Sequence, residues 1–255
     1  MSRDGLRVGV KSARIRHLWV NAALGLVVLA VLSLGATSMP RTYAQTEAPR
    51  PFILPFGVPP GPDTWLLGQT YGNTTGAYRQ RSTTYGASQG IHFGIDFSAP
   101  CGTELVALAD GVVYAVDALS FGSAPHNLLI DHPNEGYTVL YGHLLDTPTL
   151  RPGQEVKRGE VVALSGDPAD TCFGRPHLPL EVRDINNRAR KVNPVTLIEA
   201  DWDNLSLVGP FSRTFERDLD DPRKWQHLDD QPDAYSGGAL LNDFRNPWPP
   251  DLRGR

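Results

Sequence analysis

Residues 91–97 alternate without a break: Ile91, Phe93, Ile95 and Phe97 fall on one side, His92, Gly94 and Asp96 on the other. A period of two describes a half-buried β-strand and excludes a helix, whose apolar positions recur every three to four residues. The pattern recurs at Leu178, Leu180 and Val182, which oppose His177, Pro179 and Glu181. Over 136–145 it groups Tyr137, Val139, Tyr141 and His143. Residues 106–108, 112–116, 128–130 and 160–164 supply further strand-like runs, separated by turn pairs such as Asp110-Gly111, Pro152-Gly153 and Arg158-Gly159. No helical period longer than about ten residues appears beyond residue 40. The predicted fold is all-β and mainly antiparallel, a sandwich or barrel-like domain that hides its sheet edges.

The ends of the chain differ from this block. Residues 1–17 carry Arg3, Arg7, Lys11, Arg14 and Arg16 against Asp4, and no charge follows from Leu18 through Pro40. A basic start and an apolar run read as an export signal, cleaved after Gly35, Ser38 or Ala44, or retained as an anchor over 18–40. Both readings leave the remainder extracytoplasmic: secreted, periplasmic or at the cell surface, with membrane contact only through the N-terminal segment. Seven of the 23 residues from Pro40 to Pro62 are proline, so 41–62 reads as an extended linker. Residues 63–200 hold the β block. Residues 201–255 form an acidic extension with Trp202, Trp225 and Trp248 as candidate anchors.

Removing residues 1–40 takes five basic residues and one acidic residue from 24 and 28, leaving 19 against 27, a net of −8. Such a chain offers no basic surface for nucleic acid. Two cysteines exclude a disulfide-dense scaffold and a CxxC zinc knuckle.

His92 and Asp96 lie four residues apart, about 13 Å on a flat strand, too far to share a metal ion. Gly94 between them permits a bend that would bring them together. Residues 177 and 179, about 7 Å apart, point the same way. Each histidine taken alone is also compatible with an ordinary satisfied polar residue.

These residues resemble a known family. Gly90-Ile91-His92-Phe93-Gly94-Ile95-Asp96-Phe97, Gly102-Thr103, Ala109-Asp110-Gly111-Val112-Val113, Tyr141-Gly142-His143-Leu144, Ser165-Gly166 and His177-Leu178-Pro179-Leu180-Glu181-Val182 follow the order and spacing of the lysostaphin-like, LytM-type zinc metalloendopeptidases. The similarity runs from about residue 69 to 195. It implies the duplicated-hybrid-motif β fold, one zinc ion and cleavage of peptidoglycan peptides outside the cytoplasm. By resemblance, His92 and Asp96 are zinc ligands, and His143 and His177 are catalytic partners. The position of the third ligand holds Pro179, whose side chain has no lone pair.

Two ligands hold zinc weakly or not at all. Two readings therefore stand. An improvised third ligand preserves impaired hydrolysis, with one of His143 and His177 as base and the other stabilising the oxyanion. Otherwise the domain is a non-catalytic peptidoglycan-binding module or a regulator of another cell-wall hydrolase. Glu181 shares the face of Pro179 but lies about 7 Å further along an unbent strand, a weak substitute. The resemblance also sets Cys101 and Cys172 beside one cleft. Export permits a disulfide there, worth about 4 kcal/mol by loop entropy, and two buried thiols are the alternative. His126, His132 and His227 fall in loops, where exposure is expected.

Overall fold

The structure is a computed structural model that describes residues 49–169, 171–208, 218, 219, 221, 224 and 226–243. The expected export segment over 1–40, Trp225 and Trp248 lie outside them. Among the described residues no helix is long and apolar enough to cross a membrane.

Among the described residues eleven short strands carry the fold: β1 (Leu66–Leu67), β2 (Ile95–Ser98), β3 (Glu104–Val106), β4 (Gly111–Val116), β5 (Leu128–His132), β6 (Tyr137–Tyr141), β7 (Glu155–Val156), β8 (Val161–Leu164), β9 (Leu178–Asp184), β10 (Arg190–Val192) and β11 (Ala234–Tyr235). Nine form one sheet ordered β1-β2-β9-β6-β5-β4-β7, with β10 beside β9 and β11 beside β10; β3 and β8 pair separately. Every strand pairing is antiparallel. The fold is all-β, as the alternation predicts.

The longest strand, β9, pairs with β6 along residues 180–184, with β2 along 178–180 and with β10 at 182–183. Its apolar face carries Leu178, Leu180 and Val182, which join Phe97, Ile95, Val139, Tyr141, Leu128, Ile130 and Val113 in the core. Each large apolar side chain buried there contributes about 1.5–3 kcal/mol. The alternation predicts a solvated opposite face, yet Pro179, Glu181 and Arg183 are buried too. The reason is the loop between β4 and β5. Arg183 donates from Nη2 to the Phe121 carbonyl at 2.7 Å, and Gly142 lies against the Ser123 side chain and the Pro179 ring.

Two strand expectations are corrected. Of 91–97 only residues 95 onward join the ladder, while His92 pairs with Gly72 in an isolated bridge. His143 does not continue β6: the strand stops at Tyr141, and His143 adopts a left-handed backbone with φ 50°. His132, expected at the surface, is fully buried beside Phe52; it donates from Nδ1 to the Asp110 carbonyl at 3.0 Å, and burial pushes its pKa down.

The proline-rich stretch before β1 is no free spacer where it is described. Phe52 is completely buried and bridges Ile198, and Phe56 stacks on Trp65 with ring centroids 4.6 Å apart. Two aromatic side chains among the prolines bind it to the domain. Trp202 is buried in the short helix Trp202–Val208, with its indole N–H donating to the Ile198 carbonyl at 3.0 Å.

Candidate active site

Gly94 lets the chain turn between His92 and β2. A Cβ there would stand 2.8 Å from the Leu180 carbonyl oxygen, so only glycine permits this approach to β9. The turn brings His92 Nε2 to 3.3 Å from Asp96 Oδ1. Across the ladder Asp96 pairs in register with Pro179, and the Pro179 carbonyl accepts from the Gly142 N–H at 3.0 Å. A proline is tolerated within this sheet because β6 has ended on that side, leaving no demand for its missing N–H. Next along the chain from Gly142 comes His143, whose ring meets that of His177 edge-on at a centroid distance of 4.9 Å. His92 chiefly, and also His177 and His143, help to lower the Asp96 carboxyl, the His143 and His177 rings touch, and Pro179 lies opposite Asp96, so these residues share one neighbourhood.

Backbone carbonyls set the tautomers. A carbonyl only accepts, so His92 Nδ1–H donates to Thr70 O at 2.8 Å, His177 Nδ1–H to Arg175 O at 2.8 Å, and His143 Nδ1–H to Ala124 O. In each ring this leaves Nε2 as the nitrogen for chemistry. For His143 and His177 it is an acceptor, as a general base requires. Gly166 couples these two: its N–H donates to His143 O at 2.8 Å, and its carbonyl accepts from His177 N–H at 3.1 Å. Cys101 and Cys172 are joined, with Cα atoms 5.7 Å apart, tying the loop that precedes His177 to the loop after β2.

Burial alone would lower the pKa of His92, but the charge and hydrogen bond of Asp96, with help from Thr70 and Glu181, outweigh it and the pKa is raised. Burial likewise opposes ionisation of Asp96, and His92 overrides it, so that carboxyl is lowered. His143 is pushed down by burial and by the His177 charge. The signs define a window. A raised histidine adds stability below its ordinary 6.5 and loses it as pH rises through the folded value. A lowered aspartate adds stability above its ordinary 3.8 and loses it as pH falls through the folded value. The stability lost in His92→Gln should therefore be largest between about pH 4 and 6.5 and shrink above that range. Denaturant titrations of both proteins across pH measure it.

The residues present are an incomplete zinc set. His92 Nε2 and Asp96 Oδ1 converge to 3.3 Å, as two ligands of one ion would, but the residue opposite Asp96 is proline and offers no third donor. Glu181 is not a substitute, because it holds Arg183 through two hydrogen bonds to Oε2 at 3.0 and 2.7 Å. Among the described residues, no group of three or more His, Cys, Asp or Glu is placed to hold a metal ion.

The model of peptidase family M23 matches residues 90–194, the stretch that holds His92, Asp96, His143, His177 and Pro179. The chain carries an M23 peptidase domain. An uncharacterized metalloprotease of Haemophilus influenzae is 42% identical over 106 residues, covering 42% of this chain and 21% of the relative. The murein hydrolase activator NlpD of Escherichia coli is 39% identical over 114 residues, 44% of this chain and 27% of NlpD. The peptidoglycan DD-endopeptidase ShyB of Vibrio cholerae is 37% identical over 110 residues, 43% of this chain and 23% of ShyB. The match thus spans a quarter or less of most of these relatives' length, and it is confined to the M23 domain.

The tautomer-fixing carbonyls of Thr70, Ala124 and Arg175, the Gly166 link and the Glu181–Arg183 pair are not foreseen from the sequence. Ser165-Gly166 and Glu181 appear there only as parts of the family pattern.

Proposed function

We propose that this M23 domain binds peptidoglycan peptides outside the cytoplasm without hydrolysing them. One observation carries the reading: Pro179 stands in register with Asp96, and the Asp96 carboxylate is engaged by His92. Without a third ligand the domain lacks a group that would lower the pKa of water and polarise a scissile carbonyl. What remains is a site with two histidine acceptors, a buried ion pair and a nearby disulfide, suited to recognition. The basic start and uncharged run of residues 1–40 support export. Relatives of both kinds, one named as a murein hydrolase activator and one as a peptidoglycan endopeptidase, support the wall as the site of action. Regulation of another cell-wall hydrolase follows as the role a binding-only domain can fill.

Co-sedimentation of the exported part of the chain with purified sacculi tests the reading. Saturable binding that persists in excess chelator is expected, because no metal is needed. Absence of binding would overturn it.

A further inference from the structure

We propose that the C-terminal strap, residues 228–242, is the positioning element of His92, although it lies outside the matched M23 stretch. Leu228 and Ala234 join the main core and Leu241 packs against it, and specific bonds fix the rest. Leu228 O accepts from Asn193 Nδ2 at 2.7 Å, Pro232 O from the Tyr71 hydroxyl at 2.9 Å, and Ser236 Oγ from Lys191 Nζ at 2.6 Å. The pairing of β11 with β10 continues the main sheet through the strap.

Two strap side chains reach the wall that carries His92. Gln231 Oε1, in a side chain 4% exposed, accepts from the Asn73 N–H at 2.7 Å. Asn242, completely buried, donates from Nδ2 to Asn73 Oδ1 at 2.9 Å and to the Gly90 carbonyl at 2.6 Å. These contacts fall on the two segments that fix His92. Gly72 N–H donates to His92 O at 2.6 Å, His92 N–H donates to Gly72 O at 3.0 Å, and Thr70 O takes the ring Nδ1–H. Gly90 lies two residues before His92. Strap and histidine thus share one turn, residues 70–73; Gln231 acts on His92 through that turn, and Asn242 through it and through Gly90.

A second set of bonds clamps the turn beside it. Gln89 donates to Ala239 O at 2.9 Å and accepts from Tyr235 N–H at 2.6 Å, and Leu241 N–H donates to Gln89 O at 2.8 Å. Buried side-chain hydrogen bonds to backbone specify geometry more than they add stability. The site is therefore assembled from the M23 domain and a segment beyond it.

Amide hydrogen exchange on the full chain tests this, using Asn242→Ala and Gln231→Met, with Asp233→Ala as control. The control severs the Arg190–Asp233 pair, which holds the strap to β10, while the hydrogen bonds to both turns come from other strap residues. Losing Asn242 or Gln231 should lower the protection of the Gly72 and His92 amides about tenfold, while β5 and β6 core amides and the control stay near wild type. The ring 15N shifts of His92 should report loss of the fixed Nδ1–H tautomer in the same two variants. Unchanged Gly72 and His92 protection would overturn the proposal. So would an equal fall at every amide, or in the control, because the strap would then contribute only general stability. Neither readout involves peptidoglycan, so the result is independent of the sacculus assay.

Discussion

Pro179→His should convert the domain into a zinc protein, tightening zinc affinity by more than about 100-fold. The estimate rests on ligand count: losing a residue that merely supports a ligand already costs about 10–100-fold, and a ligand itself is worth more. Position 179 lies opposite Asp96 in the β2–β9 ladder, so a side chain there projects from the face that carries the carboxylate. The new histidine must also win a competition. Zinc has to take Nε2 of His92 and Oδ1 of Asp96 out of their mutual contact, displacing the Nε2 proton. Binding should therefore weaken as pH falls, where the ion pair is strongest. Isothermal titration with zinc at pH 6 and pH 7.5 measures both effects. Equal, weak affinity in the variant and the parent would show that more than the missing ligand had been lost.

Arg183→Met should cost about 3–5 kcal/mol, the usual penalty for leaving one member of a buried ion pair without its partner. Arg183 and Glu181 are 4% and 8% exposed, too dry for water to replace the guanidinium. For a folded unit of about 200 residues that corresponds to a Tm lower by roughly 10 °C. Glu181→Leu combined with Arg183→Met should recover much of the loss, since an apolar pair leaves no charge stranded. The effect should reach the site as well. Arg183 Nη2 holds the Phe121 carbonyl, and the same loop supplies the Ala124 carbonyl that fixes His143. Calorimetry on the single and double variants reads the stability, and His143 ring 15N shifts read the coupling. A single variant as stable as the parent would contradict this account of the pair.

These residues also show where sequence reasoning ends. The core face of β9 is legible because Leu178, Leu180 and Val182 alternate, and period two is a local property of the chain. The polar face reads as solvated, since nothing local reveals that the loop around Phe121 covers it. Asp96 and His92 come together because Gly94 allows a close backbone approach, and glycine at that place is visible. The carbonyls of Thr70, Ala124 and Arg175 carry no residue-type signal at all, because every residue has one. His143 occupies a left-handed backbone without the glycine or asparagine that usually marks it; Gly142 before it and the bond to Ala124 hold it there. The strap is the extreme case. Gln231 and Asn242 are unremarkable in sequence and acquire meaning only from contacts with Asn73 and Gly90, more than 150 residues away. The tryptophans mark the C-terminal segment in the sequence, yet Gln231 and Asn242, with Leu228 and Ala234 in the core, fasten its last described part.

The most direct test of a binding-only M23 domain is to incubate the purified chain with sacculi and zinc and to count new free amino groups over time. No increase above the protein-free control is expected, in the same samples where the chain sediments with the sacculi. A steady release of amino groups by the protein with Pro179 in place would contradict the account.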